Sequence, residues 1–216
     1  MIELTPEMLS GLPTTGVRDP IEFYRRPLVG KLYRERINMG LRQLGAGRIG
    51  RALEVGYAAG AVLLALAPSV DELQGIDLDA DPQPVTDLLA SRGYRVRLQR
   101  ANVYQLPYPD VSFDLAVCFS VFEHLDDYQQ GLREVSRVLV PGGRFLLGMP
   151  AVNRLMEWGF RAIGFKGIED HHVTRPQDVA AAFEKHGLRV VSRRFLGVPL
   201  EGAALYYTWL LRRETA

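Results

Sequence analysis

The run Arg51-Ala-Leu-Glu-Val-Gly-Tyr-Ala-Ala-Gly60, continued by the apolar Ala61 to Ala67 and stopped by Pro68, holds the first residues able to do chemistry. Leu53 and Val55 read as the end of a buried strand, Gly56 to Gly60 as a small-residue turn, and the residues after it as a helix start. A helix N-terminus offers unpaired N–H groups and a partial positive charge, and small residues let a polar ligand approach that backbone closely. Strand, glycine turn and helix together open a nucleotide-binding unit. Asp77 stands 21 residues after Gly56 and closes a second strand-like run, Leu73 to Asp77. A carboxylate there is placed to accept hydrogen bonds from ribose hydroxyls. Taken alone, the pair also fits an ordinary strand-to-helix turn with Asp77 as a helix cap.

Residues further along the chain narrow the choice. Glu54-x-Gly56-x-Ala58-x-Gly60 precedes Gly75-Ile-Asp77-Leu-Asp79, then Ala101-Asn102-Val-Tyr-Gln-Leu106-Pro107, then Phe113 to Leu125 with Glu123-His124, then Leu139-Val-Pro-Gly-Gly-Arg-Phe145. This series, over residues 51 to 149, resembles the class I S-adenosylmethionine-dependent methyltransferases, of the small-molecule, type 11-like kind. The resemblance implies that Gly56 to Gly60 face the methionine portion of S-adenosylmethionine, with Glu54 supporting its amino group through water. It implies that Asp77 takes the ribose hydroxyls, Leu78 lies against the adenine, Asn102 and Val103 hold the adenine edge, and Phe119 lines the methionine side. Two residues depart from the family pattern. Ala58 stands where the middle glycine is expected, so the turn must keep a conformation a Cβ tolerates. Asn102 replaces the usual Asp, exchanging a charged acceptor for an amide that both donates and accepts.

Methyl transfer is an in-line displacement at a sulfonium, so the protein mostly needs alignment and a dry site. The aromatic faces of Tyr57, Phe119 and Phe122 are available to attract the sulfonium. A base is required only for an acceptor that carries a proton. His124 and His172 are the catalytic candidates, beside Glu123 and His171, and each also fits a cap or a packing role. Thr174 is placed to cap a helix beginning at Pro176. Two readings from other classes stay open: a noncatalytic S-adenosylmethionine-binding regulatory or assembly protein, and a nicotinamide-dependent dehydrogenase. The latter wants a glycine pattern ending one residue later.

These residues need a scaffold. The pattern predicts strands near 51–55, 71–77, 94–99, 113–119, 143–149, 188–195 and 203–211, and helices near 60–67, 81–92, 126–139 and 176–186. Such alternation means a parallel sheet covered on both faces, with ligands beyond the carboxyl ends of its strands. Gly56, Asp77, Asn102 and Phe119 all fall at such ends. The expected fold is α/β, a Rossmann-like doubly wound seven-stranded sheet, mostly parallel. The resemblance implies that its last strand runs antiparallel beside the fifth.

The expected organisation is one domain over 1–216, with a helical arm or lid at 1–48 and a substrate-side insertion at 150–175. The arm is basic, with Arg18, Arg25, Arg26, Lys31, Arg34, Arg36, Arg42, Arg48 and Arg51 against Asp19, Glu22 and Glu35. It reads as a solvated helix face, or as a lid over an anionic acceptor, a peripheral membrane contact or an RNA contact. The insertion carries Leu155, Met156, Trp158, Phe160, Ile163 and Phe165, which suits a hydrophobic, lipid-linked or sugar-linked small-molecule acceptor or packing onto the sheet.

Composition sets the outer limits. The chain has 216 residues, 47% hydrophobic and 24% charged, with a net charge of +1. No global field argues for nucleic acid, and no Asn-Pro-Pro-Tyr-like motif follows the fourth strand. The lone Cys118 excludes a disulfide framework and a cysteine-built metal site, and reads as a small buried hydrophobe. The Met1-Ile-Glu-Leu-Thr-Pro start lacks a basic region leading into an apolar one, so the expected location is cytoplasmic.

Overall fold

Seven strands form one sheet in the computed structural model, which describes residues 2–14, 24, 27–151, 173–197 and 204–215. They are β1 (Ile49–Val55), β2 (Val70–Asp77), β3 (Val96–Arg100), β4 (Phe113–Phe119), β5 (Leu139–Pro150), β6 (Leu188–Gly197) and β7 (Ala204–Arg213). Their order across the sheet is β3-β2-β1-β4-β5-β7-β6. Strands β1 to β5 pair in parallel, and β7 runs antiparallel to both β5 and β6. The strand order reverses direction between β1 and β4, which leaves a crevice at their carboxyl ends.

Helices α1 (Pro27–Leu41), α2 (Ala61–Leu66) and α3 (Pro82–Ser91) cover one face, and α4 (Tyr128–Val138) and α5 (Pro176–Ala182) cover the other. Strand β4 shows why both faces close. Leu115, Val117 and Phe119 enter the first core and Ala116 and Cys118 the second, the alternation of a strand buried on both sides. Asp81 caps α3 by accepting the Gln83 N–H, with Pro82 in its first turn, and Asp127 caps α4 by accepting the Gln130 N–H at 3.0 Å.

Strand β5 begins earlier than the pattern predicts. Leu139 pairs with Phe113, and the ladder resumes at Leu115 and Arg144 after a register shift. The Pro141-Gly142-Gly143 turn therefore bulges inside the strand rather than preceding it.

The N-terminal arm is docked. The buried Asn38 side chain of α1 accepts from Leu4 N at 2.7 Å and donates to Leu4 O at 3.0 Å, holding residues near Leu4 against the helix as a strand neighbour would. Gln43 donates to Thr208 Oγ1 at 2.7 Å on β7 and accepts from Ser192 Oγ at 2.6 Å on β6. Among the described residues, three of the arm's nine cations are answered locally. Arg42 pairs with Glu3 and Glu35, Arg48 with Asp71, and Arg51 with Asp114. Such exposed pairs contribute at most about 1 kcal/mol each, but they reduce the arm's outward field. Arg36 differs, as its guanidinium points inward.

On the opposite side, Arg137 of α4 donates to Tyr108 O at 2.8 Å and Leu106 O at 3.0 Å, while Glu134 accepts from Leu106 N at 2.8 Å. These bonds tie the β3–β4 connection to α4 and so place Asn102 and Val103. Among the described residues no helix is long and apolar enough to cross a membrane.

Candidate functional site

The turn after β1 is built from left-handed backbone. Gly56 and Gly60 have φ of 81° and 84°. A Cβ on Gly56 would lie 2.3 Å from Val121 Cγ2, and one on Gly60 2.5 Å from Val85 Cγ1, so both positions require glycine for space as well as conformation. Gly56 N–H donates to Ile76 O at 2.8 Å and Gly60 N–H to Tyr57 O at 2.7 Å, which folds the turn against the end of β2.

Ala58 does not keep the Cβ-tolerant conformation its sequence position asks for. Its φ is 44°, in the left-handed region, which costs an L-residue about 1 kcal/mol. What holds it there is the bond from its N–H to Asp77 Oδ2 at 2.9 Å. Ala58→Gly is accordingly expected to stabilise the protein by roughly 1 kcal/mol in urea unfolding and to keep or tighten S-adenosylmethionine binding. A lower unfolding midpoint at unchanged slope would contradict this placement of the turn.

Asp77 does more than face a ligand. Its Oδ1 accepts from Asp79 N and Ala80 N, both at 2.9 Å, and with Ala58 N on Oδ2 it clamps the β1–α2 and β2–α3 turns together. A carboxylate has about four lone-pair sites, so three are occupied and one remains for a ribose hydroxyl. Leu78 beside it is 63% exposed, an apolar side chain left open at a strand end. Ala101 N–H donates to Asp77 O at 3.0 Å and brings the end of β3 alongside. There Val103 is buried, and the exposed Asn102 uses Oδ1 to accept from Tyr104 N at 2.9 Å. The aromatic candidates pack inward. Tyr57 is buried with its hydroxyl donating to Ala80 O at 3.2 Å, Phe122 is fully buried, and a Cβ on Gly40 or Gly148 would lie 2.8 or 2.4 Å from the Phe119 ring.

Glu54 is buried one residue before the end of β1, and its Oε2 has no hydrogen-bond partner among the described residues. Burial, and next the charge of Asp77, push its carboxyl well above the usual range, while a backbone bond from Leu63 in the first turn of α2 opposes this. An orphaned carboxylate oxygen beside a glycine turn is a socket for a cationic group.

A second polar cluster lies at the end of β4. Ser120 has a left-handed φ of 58°, and a short 3-10 turn, Phe122–His124, comes next. Glu123 in that turn is 1% exposed, and its Oε2 has no partner among the described residues. Burial pushes its carboxyl up to about 8, against lowering by a backbone bond, by the charge of Arg36 and by a bond from Ser120. Ser120 Oγ lies 2.9 Å from Tyr206 Oη and accepts from Arg36 Nη1 at 3.4 Å. The Arg36 guanidinium sits 4.2 Å from the Tyr33 ring centre and 5.2 Å from that of Tyr206, with its Nε buried and unpartnered among the described residues.

His124 is exposed at the end of the 3-10 turn. His171, His172 and the apolar run 155–165 lie outside the described residues. Thr174 does not cap α5: its hydroxyl donates to Leu125 O at 2.6 Å, and the N-cap position is Arg175. Val173 N and Thr174 N instead donate to Glu123 O at 2.9 and 3.2 Å, closing the chain over the Glu123 turn. Cys118 is buried and burial raises its thiol, as suits an inert packing residue. Among the described residues no three His, Cys, Asp or Glu side chains are grouped to hold a metal ion.

The structure thus brings Glu54, Gly56, Gly60, Asp77, Leu78, Asn102 and Val103 to the ends of β1, β2 and β3. Arg36 and Tyr206 are the residues that motif and spacing did not signal. A carboxylate inside the apolar run Phe119 to Leu125 was a legible sign for Glu123, whereas nothing marks Arg36 among the arm's other cations.

Comparison with known proteins bears on the family and the fold. Residues 53–147 match the family model described as a methyltransferase domain. An uncharacterized methyltransferase of Bacillus subtilis, YcgJ, is 39% identical over 99 residues, 45% of this chain and 39% of that protein. A demethylmenaquinone methyltransferase of Deinococcus radiodurans is 34% identical over 100 residues, 45% of this chain and 42% of that protein. The matches therefore span about two fifths of these relatives' length. The crystal structure of YcgJ superposes with a TM-score of 0.64 at 18% identity, covering 84% of this chain and 99% of that one. The N-methyltransferase NodS of Bradyrhizobium japonicum, in complex with S-adenosylhomocysteine, superposes with a TM-score of 0.66 at 20% identity, covering 97% of each chain. At such identities the likeness shows the fold.

Proposed function

We propose that this chain, whose residues 53–147 match a family model described as a methyltransferase domain, is a class I S-adenosylmethionine-dependent methyltransferase that transfers a methyl group to a small-molecule acceptor by in-line displacement. The observation that carries this reading is the orphaned oxygen of buried Glu54 beside the glycine turn. An ammonium group satisfies it, and the cofactor's methionine portion has one.

When bound, S-adenosylmethionine supplies the activated methyl group. The chain's residues do the rest. Glu54 holds the amino group, and the Gly56 to Gly60 turn allows close backbone approach. Asp77 offers its remaining lone pair to the ribose. Leu78 gives the adenine an apolar surface, and the Asn102 amide donates to a purine nitrogen from beside Val103. Tyr57 keeps the β2–α3 turn in place from below. Phe119, wedged toward α1, closes the methionine side against water, which strengthens the electrostatics of the site.

The arm at 1–48 and the insertion at 150–175 belong to a single domain with the sheet, and the docking of the arm through Asn38 and Gln43 supports that role for the arm. The acceptor has an apolar part, in keeping with the aromatic content of the insertion and with a relative named as acting on demethylmenaquinone. A peripheral membrane contact through the arm would draw on cations other than Arg42, Arg48 and Arg51, which are ion-paired.

Isothermal titration with S-adenosylmethionine, S-adenosylhomocysteine and NAD tests the reading. Binding of both sulfur ligands in the micromolar range and none of NAD is the expected result. Binding of neither sulfur ligand would overturn it. Asp77→Ala is a poor control, since it also releases the clamp on two turns; Glu54→Gln is the cleaner variant.

A further inference from the structure

Where β5, β7 and β6 run side by side, their arginines fall into one row. Arg144 stands opposite Arg212, and Arg212 opposite Arg189, in antiparallel register, so the three residues share a face of the sheet. It is the face of Leu146 and Leu210, which α1 covers, and Arg144 donates to Leu44 O at 2.9 Å just past the end of that helix. Directly opposed like charges destabilise a sheet. Burial, and next the charge of Arg212, hold the Arg144 guanidinium below its ordinary proton affinity.

Arg42, Arg48, Arg51 and Arg137 each have a carboxylate partner, whereas none of these three does among the described residues. Arg189 and Arg212 are exposed, and their side chains make no hydrogen bond among the described residues. Both line an open depression of about 500 Å³, together with Gly142, Arg213, Glu214 and Thr215. Arg213, from the other face of β7, donates to Leu139 O and to Arg137 O at 3.3 Å, which fixes its guanidinium at the wall. Gly142 keeps the mouth wide, since an added Cβ there would meet nothing within 4 Å. Glu214 is the one carboxylate among the lining residues, against three guanidiniums, and Arg144 adds a fourth beside Arg212.

We propose that this depression is a binding site for a terminal phosphate group. A phosphate dianion spreads its charge over several oxygens, and planar guanidinium forks from adjacent strands can pair with it together, which relieves the repulsion along the row. A carboxylate brings one charge and two oxygens, a poorer match for three cations. The volume lies within the range of small-molecule pockets, about 300–1,000 Å³, so the group that bears the phosphate has room as well.

The site is separate from the crevice at the strand ends. Arg144 lies opposite Leu115 of β4, four residues before Phe119, on the order of 13 Å back along the strands. Arg189, Arg212 and Arg213 also lie outside residues 53–147, so the family-matched segment lacks the groups that line the depression. Phosphate binding here is therefore independent of the methyltransferase reading. Arg194, five residues beyond Arg189 on the same strand and opposite Thr208, is exposed without lining the depression and serves as a control.

The test is calorimetric titration of the protein with pyrophosphate at neutral pH and low salt, with acetate as comparison. Pyrophosphate is expected to bind at least about tenfold more tightly than acetate, and Arg212→Gln to weaken it at least about tenfold, the loss of one charge-assisted pair. Arg194→Gln, which removes the same charge from the neighbouring strand, should weaken it about twofold at most, since exposed charges further off are screened. Urea unfolding verifies that the variant folds. The wild-type midpoint should rise with pyrophosphate, whereas that of Arg212→Gln should start higher, freed of two opposed like charges, and gain little from the ligand. Vesicles of phosphatidic acid in phosphatidylcholine, against phosphatidylcholine alone, identify the source of the phosphate. Sedimentation with the acidic vesicles that is lost in Arg212→Gln assigns the site to a lipid headgroup, and its absence beside pyrophosphate binding assigns it to a free phosphate compound. No pyrophosphate binding, acetate binding as tight, or equal losses in Arg212→Gln and Arg194→Gln would overturn the inference, the last by reducing the row to diffuse surface charge.

Discussion

Glu54→Gln is expected to weaken S-adenosylmethionine binding on the order of 100-fold and, in the same protein, to raise the stability of the ligand-free state. The first effect comes from the loss of a buried ion pair. A charge-assisted hydrogen bond in a dry site contributes about 1.5–3 kcal/mol, and leaving the ligand's ammonium opposite a neutral amide adds a desolvation penalty. Together these amount to about 3 kcal/mol, or roughly two powers of ten in affinity. The second effect comes from burial. Glu54 has no partner for Oε2 among the described residues, and its carboxyl is held well above the ordinary range. A group whose folded proton affinity exceeds its unfolded one contributes stability below the ordinary carboxylate pKa and loses it as the pH rises through the raised value. Gln, which never ionises, escapes that loss. Wild-type affinity should therefore rise with pH as Glu54 ionises to meet the ammonium, and the variant's affinity should be flatter. Titration calorimetry with urea unfolding across the pH range reads both effects, and equal affinities would remove Glu54 from the cofactor site.

Glu123→Gln removes a second buried carboxyl, in the turn after β4. At pH 7 the buried carboxyl, pushed up to about 8 from an ordinary value of 4.5, is mostly protonated in the folded protein, whereas in the unfolded chain it ionises freely. That difference favours the unfolded state by on the order of 3 kcal/mol at pH 7, from the interval between 4.5 and 7. The variant is therefore expected to be more stable by about that amount at pH 7. Its advantage should disappear below the carboxylate range, where both forms are neutral, and level off above pH 8. A variant no more stable than wild type at pH 7 would mean that Glu123 already has a partner for its charge. Both glutamates thus cost the ligand-free fold stability at neutral pH.

Much of this protein could be read along its chain. Strand and helix positions came from periodicity, because a strand buried on both faces is apolar throughout and a covering helix repeats every three to four residues. The Glu54 to Gly60 turn and Asp77 were legible for a similar reason, since left-handed backbone demands small residues within a few positions of one another. Even there the line of residues was incomplete. Asp77 was visible as a ribose acceptor, but its clamp on Ala58 and Ala80 was not, because the two turns meet only when β1 and β2 pair.

The acceptor side was decided by the tertiary structure. Among nine basic residues between 18 and 51, composition could not tell that Arg42, Arg48 and Arg51 find carboxylates at the surface while Arg36 turns inward. Arg36 and Ser120 are 84 residues apart, and Tyr206 stands 86 residues beyond Ser120. Glu123 and His124 stood together as base candidates after the fourth strand, and only the structure shows that His124 is exposed while Glu123 is buried. Turn chemistry and periodicity belong to adjacent residues and are written in their order. Proton affinity depends on desolvation and on charges delivered from both ends of the chain, and those exist only once the arm, β4 and β7 have packed together.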